Sequence, residues 1–185
     1  MTDTRRGKAA WVHPTAVRHP GSRLGKGTRV WAYAEIRERA VIGNDCMVGN
    51  GVYVDTGVRI GDRCNIHNKA LLYRNLCLED DVFVGPGVCF TNDPRPRANR
   101  IRDLGRNCTQ VGRGASIGAN VTILPDLKLG RYCMVAAGSV VTSDVPDYAL
   151  VRGVPARVRG KVGQDGFAVT AKKSEAKRIL KRRSS

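Results

Sequence analysis

From Val30 to Ile66 the chain reads VWAYAEIRERAVIGNDCMVGNGVYVDTGVRIGDRCNI, and an aliphatic residue returns at every sixth position: Val30, Ile36, Ile42, Val48, Val54, Ile60 and Ile66. Extended in both directions, the series runs from Val12 to Phe90 with Arg18 as its single polar member. A second series of mostly smaller residues stands two positions ahead, including Thr28, Ala34, Ala40, Cys46, Val52 and Cys64. Strand pleating repeats every two residues and a helix every 3.6, so a period of six fits short strands that bend at regular corners. Three six-residue sides bring the chain back over its start after 18 residues. The product is an all-β, triangular parallel β-helix whose coils lie about 4.8 Å apart, with residues 18 apart stacked in columns. Runs such as Gly43-Asn44-Asp45, Gly49-Asn50-Gly51 and Gly61-Asp62 are expected to supply the left-handed backbone that each corner demands.

The pattern stops after Phe90. Thr91 to Asn107 reads TNDPRPRANRIRDLGRN, rich in Arg and Pro, and the repeat resumes at Val111, Ile117, Ile123, Leu129, Val135 and Val141. The interruption reads as a loop that bulges from the coil, and long loops on repeat folds commonly carry function. The chain therefore divides into a lead-in over 1–10, a β-helix domain over 11–145 with a protruding loop over 91–107, and an exit segment over 146–185. About six to seven coils are expected. Gly153, Pro155 and Gly160 argue against a regular element in the exit segment, and a short basic helix is expected from about Ala171 to Arg183.

Composition agrees with a narrow interior. The 185 residues are only 5% aromatic, which suits stacked Val, Ile, Leu, Ala and Cys. Cys46, Cys64 and Cys133 fall in the small inner series and read as buried hydrophobes, not as a disulfide framework. The formal charge is +16, part of it gathered at the two ends. Those ends read as solvated charge, not a nucleic-acid arm. No secretory signal and no apolar run of about 18 residues occurs, so a reduced, cytoplasmic protein without a membrane partner is expected.

From Val12 to Gly160 the hexads resemble those of the left-handed β-helix acyltransferases. Ala136 to Gly160, AAGSVVTSDVPDYALVRGVPARVRG, is similar to the closing signature of their coenzyme-A-dependent members, and Leu78 to Asp93 with Pro96-Arg97-Ala98 resembles the nucleotide-sugar 3-N-acetyltransferases. The resemblance implies an acetyl-CoA-dependent N-acetyltransferase acting on a UDP- or dTDP-linked 3-amino sugar. It further implies a homotrimer with sites between neighbouring prisms, and no metal.

Acetyl transfer to an amine needs a proton acceptor, and general-base help is typically worth 10²–10⁴-fold. Of the three histidines, His13 and His19 lie in the imperfect first coil. His67 follows the inward Ile66, so it faces outward one coil beneath Gly85, and the column rule places it close to where the loop departs. His67 is the candidate base and Asn68, which keeps the family pattern, the candidate for positioning the amine. Tyr73, Glu79, Asn92, Asp93 and Arg97 are candidate sugar-nucleotide contacts, because amides and carboxylates suit vicinal hydroxyls and Arg suits phosphate. Ala136, Ala137 and Gly138 are small enough for a pantetheine arm to approach the backbone, and Arg152, Arg157 and Arg159 suit the phosphates of coenzyme A. Two other readings compete. A carbonic-anhydrase-type metalloenzyme needs three converging histidines, and a non-catalytic scaffold leaves the basic loop and the closing signature idle. A fused nucleotidyltransferase would need an α/β domain ahead of the repeat, and none is expected.

Overall fold

The computed structural model describes residues 9–99 and 108–169, and within them the chain winds into a triangular prism of three parallel sheets. Wall A stacks β1 (Trp11–Val12), β4 (Arg29–Val30), β7 (Met47–Val48), β10 (Asn65–Ile66), β13 (Phe83–Val84), β16 (Ser116–Ile117), β19 (Met134–Val135) and β21 (Ala149–Arg152), with β22 (Arg157–Lys161) at its end. Wall B stacks β2 (Val17–Arg18), β5 (Glu35–Ile36), β8 (Tyr53–Val54), β11 (Leu71–Leu72), β14 (Cys89–Phe90), β17 (Thr122–Ile123) and β20 (Val140–Val141). Wall C holds β3 (Arg23–Leu24), β6 (Val41–Ile42), β9 (Arg59–Ile60), β12 (Leu76–Leu78), β15 (Thr109–Val111) and β18 (Lys128–Leu129). The register steps by 18, as in Asn65↔Phe83 and Ile66↔Val84, and becomes 33 across the loop, as in Leu78↔Val111 and Phe90↔Ile123. The loop is thus an insertion at the edge between walls B and C, and the coil closes around it undisturbed.

The core is the two series of the repeat. Ile36, Val48, Val54, Ile66, Leu72, Val84 and Ile117 are fully buried, as are Ala34, Cys64, Ala70 and Val88 of the smaller series. Each fully buried aliphatic contributes about 1.5–3 kcal/mol relative to exposure. The inner cysteines also act as corner donors. Thr28 Oγ1 donates to Gly43 O at 2.7 Å, and Cys46 Sγ and Cys64 Sγ donate at 3.1 Å to Gly61 O and Glu79 O, the same 15 residues ahead.

The corners meet the expectation at two of the three runs, with left-handed backbone on their last residues, Asp45 and Gly51, while at the third it falls one residue past Gly61-Asp62, on Arg63, and Lys69 adopts it as well, with φ between 53° and 63°. The glycines that follow the inward aliphatic position answer a different demand: a Cβ on Gly43 would lie 2.6 Å from the backbone of Gly61, and one on Gly61 would lie 2.7 Å from Asp80 N. They allow coils to approach, whereas the left-handed position tolerates Arg and Lys at a cost that the stacked hydrogen bonds offset. A ladder along the edge between walls C and A supplies some of them: Asn44 Oδ1 accepts from Lys26 N, Asp62 Oδ1 from Asn44 N and Asp80 Oδ1 from Asp62 N, at 2.7–2.9 Å.

The exit segment also departs from expectation. Ala149–Arg152 pairs in parallel with β19 as one more rung of wall A, and Arg157–Lys161 folds back antiparallel on it. Gly153, at φ 104°, makes the turn of this hairpin where the sequence reading placed an irregular stretch. The expected helix from Ala171 to Arg183 lies outside the described residues, as do positions 100–107 of the loop.

Candidate functional site

His67 stands on the edge between walls A and B. Its N–H donates to Val84 O at 2.8 Å, and its half-buried ring lies 4.8 Å from that of Phe83, centroid to centroid, on the outer face of wall A. The register continues upward from His67 through Gly85, Gly118 and Ala136 to Arg152, one residue per coil. Four steps of about 4.8 Å make this column roughly 19 Å long. An imidazole is at its foot, small residues occupy its middle and a guanidinium is at its head.

Ala136, Ala137 and Gly138 turn the same edge. The amides of Ala136 and Gly138 are already bonded to Val151 O and Ala119 O, and Ala136 O accepts from Ser139 Oγ at 2.7 Å. Ala137 N–H and C=O have no partner among the described residues, and the space where a Gly138 Cβ would stand is open. The run therefore fits an extended thiol arm at Ala137, a narrower contact than the three residues suggest by themselves. Arg152, Arg157 and Arg159 are all exposed on the hairpin above.

Asn68 is exposed, and its Oδ1 accepts from Asn50 N at 2.9 Å, tying its coil to the one below. Glu79 belongs to a third edge, between walls C and A, where its Oε2 accepts from Arg113 N at 2.8 Å. Tyr73, Asn92, Asp93 and Arg97 do come together. With Thr91, Pro96 and Ala98 they line an open recess of about 560 Å³ where the insertion leaves wall B. Within it Asp93 Oδ1 accepts from Arg95 N at 2.8 Å and Arg97 Nη1 donates to Pro96 O at 3.0 Å. This recess is one wall away from His67 in the same chain, six residues of extended backbone or about 20 Å at most. The column reading put the two side by side. It tracked the height of the coil correctly and missed the edge.

Beneath Tyr73 lies a group that the sequence reading passed over. Asp55, 4% exposed, occupies the same column one coil below and accepts from Thr56 N at 2.7 Å and from Arg74 N and Nε at 3.2 Å. Tyr53, whose hydroxyl donates to Asp55 at 3.4 Å, packs its ring 5.7 Å from that of Tyr73. Burial works against the Asp55 charge, but the Thr56 amide and the Arg74 guanidinium outweigh it and hold the carboxyl below the usual range. The 18-residue rule applied to Tyr73 points directly at Asp55. A depressed folded-state pKa contributes stability above the unfolded value of about 3.9 and loses it as pH falls through the folded one. Asp55→Asn is expected to cost about 1–2 kcal/mol near neutral pH, with the gap to wild type shrinking as the pH drops below 4, read by urea unfolding at both pH values.

The remaining histidines are committed elsewhere. His13 bonds Thr15 and packs edge-on to Trp11, while His19 bonds Glu35 and Glu38 at 3.0 and 3.3 Å. Among the described residues no group of three or more His, Cys, Asp or Glu is placed to hold a metal ion.

The model of the bacterial transferase hexapeptide family, six repeats, matches residues 39–74 and 108–143. The dTDP-3-amino-3,6-dideoxy-α-D-galactopyranose 3-N-acetyltransferase of Aneurinibacillus thermoaerophilus is 41% identical over 158 residues, 85% of this chain and 81% of that protein. The chain belongs to the hexapeptide-repeat acetyltransferases. With that membership the prism is a left-handed β-helix of about seven turns. A variant of the GDP-perosamine N-acetyltransferase of Caulobacter crescentus, solved with CoA and GDP-perosamine, shares 25% identity at a TM-score of 0.55. The alignment covers 83% of this hexapeptide-repeat acetyltransferase and 58% of the longer protein. The acetyltransferase domain of PglB from Neisseria gonorrhoeae, solved with acetyl coenzyme A, shares the fold at 22% identity and a TM-score of 0.51, with 82% of this chain and 58% of that one covered.

Proposed function

We propose that the protein transfers the acetyl group of acetyl-CoA to the 3-amino group of a nucleotide-linked amino sugar, of the dTDP-3-amino-3,6-dideoxyhexose class. The column from His67 to Arg152 carries the reading. Its order of proton acceptor, small residues and cation matches the order of thioester, pantetheine and phosphates in coenzyme A, and its length suits an extended arm. The 41% identical relative supports the sugar class.

Acetyl-CoA supplies an activated thioester carbonyl. His67 accepts the proton that the sugar amine must shed as the amide forms, and Phe83 holds the imidazole against wall A. Ala137 offers its main-chain N–H and C=O to the pantetheine amides in strand fashion. Arg152, with Arg157 and Arg159, meets the phosphates. Asn92, Asp93 and Arg97 line the sugar-nucleotide recess over the Tyr73 floor, and Asn68 orients the amine beside His67. Since recess and column occupy different edges of one prism, a complete site brings the recess of one copy to the His67 edge of another. A closed ring of three copies gives three such sites and is the assembly we infer.

The test is CoA release, followed as free thiol, with acetyl-CoA and a panel of amino sugars. A dTDP-linked 3-amino-3,6-dideoxyhexose is expected to exceed its 4-amino isomer by 10²-fold or more in kcat/KM, because a misplaced nucleophile forfeits most of the gain from orientation. Equal rates with both isomers, or turnover only with a simple galactoside, would overturn the assignment.

A further inference from the structure

Cys77 and Cys108 stand 2.9 Å apart, sulfur to sulfur, with the Cys108 thiol donating to Cys77 Sγ. Both are free and half-buried. Cys77 is the outward residue of β12 on wall C, and Cys108 is the last residue before β15, where the chain rejoins that wall after the insertion. The other thiols are placed differently. Cys46, Cys64 and Cys133 are at most 1% exposed inside the prism, where burial pushes Cys133 up to about 12. Cys89 faces outward from wall B.

We propose that Cys77 and Cys108 form a redox-active dithiol, which low-molecular-weight disulfides convert to an intramolecular disulfide that closes the insertion at its base. Three observations carry it. The sulfurs already touch, and a bond of about 2.05 Å needs them to close by only about 0.9 Å. Arg59, opposite Cys77 one coil below, places a cation beside a pair of sulfurs that are both partly exposed and so within reach of a small disulfide. The hydrogen bond also sorts the two roles. Burial and the contact with Cys77 push Cys108 up to about 12, so Cys108 keeps its proton and donates it to Cys77 Sγ, which leaves Cys77 as the attacking sulfur.

The exchange balances without further reagents. The Cys77 thiolate attacks one sulfur of the small disulfide, giving a mixed disulfide and releasing one small thiolate, which takes up the proton that Cys77 lost. The Cys108 sulfur then attacks Cys77 Sγ of the mixed disulfide and expels the second small thiolate, which takes the Cys108 proton. Two protein thiols are oxidised and one small disulfide is reduced to two thiols. The ring so closed joins residues 31 apart and contains the whole insertion.

The full chain is incubated with oxidised glutathione, its remaining thiols are alkylated, and disulfide-linked peptides are mapped by mass. A Cys77–Cys108 cross-link is expected, with a rise in Tm on the order of 5–10 °C from the constrained unfolded chain and reversal of both by dithiothreitol. Cys77→Ser and Cys108→Ser each abolish the cross-link and the rise in Tm, and in Cys108→Ser the remaining Cys77 carries one glutathione. Cys89→Ser leaves both intact. One glutathione on each of Cys77 and Cys108, or no modification and an unchanged Tm in the wild type, would overturn the proposal. No step of this test depends on catalysis.

Discussion

His67→Ala is expected to lower kcat with acetyl-CoA and the amino sugar by roughly 10²–10³-fold while the KM of each substrate changes by less than about threefold. The reasoning is local. His67 is the single histidine on the column that ends in Arg152, and His13 and His19 are held by Thr15 and by Glu35 and Glu38. A sugar amine becomes an amide only by losing a proton, and the leaving thiolate is poorly placed to take it before the carbon–sulfur bond breaks. His67→Gln keeps a polar side chain of similar size packed on Phe83 but cannot accept a proton, so it should be impaired as severely as alanine. A group that only binds the sugar would be largely rescued by glutamine. The pH profile separates the two further: loss of the acid limb of kcat/KM in His67→Gln marks a base. Unchanged turnover of either variant from about pH 6 to pH 9 removes that role and leaves the thiolate as the proton acceptor.

The parts of this molecule that were legible in its sequence are those governed by period. An inward residue every sixth position fixes where the walls lie, and the 18-residue step fixes which residues stack, so Ile66 under Val84 and His67 under Gly85 follow from counting alone. Edges are harder. His67 and Tyr73 differ by one six-residue step, which in the sequence is a small offset and in the prism is the width of a wall. Glu79, a further step on, lies on a third edge. Residues that look clustered along the chain are therefore distributed around the triangle, and only those brought together by the loop, Tyr73 with Asn92, Asp93 and Arg97, share a recess. The roles of glycine were hidden for a different reason. Gly43 and Gly61 look like turn residues, yet what they avoid is the backbone of the next coil, a constraint visible only when coils are stacked. The exit hairpin was missed because Gly153 and Pro155 read locally as breaks, whereas here they connect two paired strands.

That distribution around the triangle sets up the second large effect. If one chain supplies the His67 column and another supplies the recess, then a His67→Ala copy and an Arg97→Ala copy carry defects in different halves of a shared site. Each homogeneous variant is expected to be impaired, the first in kcat and the second mainly in the KM of the sugar nucleotide. Arg97 suits this role because it is exposed in the recess and, among the described residues, its side chain bonds only Pro96 O of its own loop. Mixed assemblies are made by co-expressing the two variants with different tags and purifying through both. Selection through both tags leaves only rings of two chains to one, in which one site in three takes its column from an Arg97→Ala chain and its recess from a His67→Ala chain, so activity should return to about a third of the wild-type rate. Recovery on that scale requires sites shared between copies, because a site built within one chain would be defective in every chain of the mixture. No recovery, in assemblies shown by mass to contain both variants, would mean that column and recess act within one subunit. Bridging the wall between them would then require the sugar nucleotide itself to reach about 20 Å around an edge of the prism. A purified wild-type protein that runs as a monomer while fully active would sink the shared site outright.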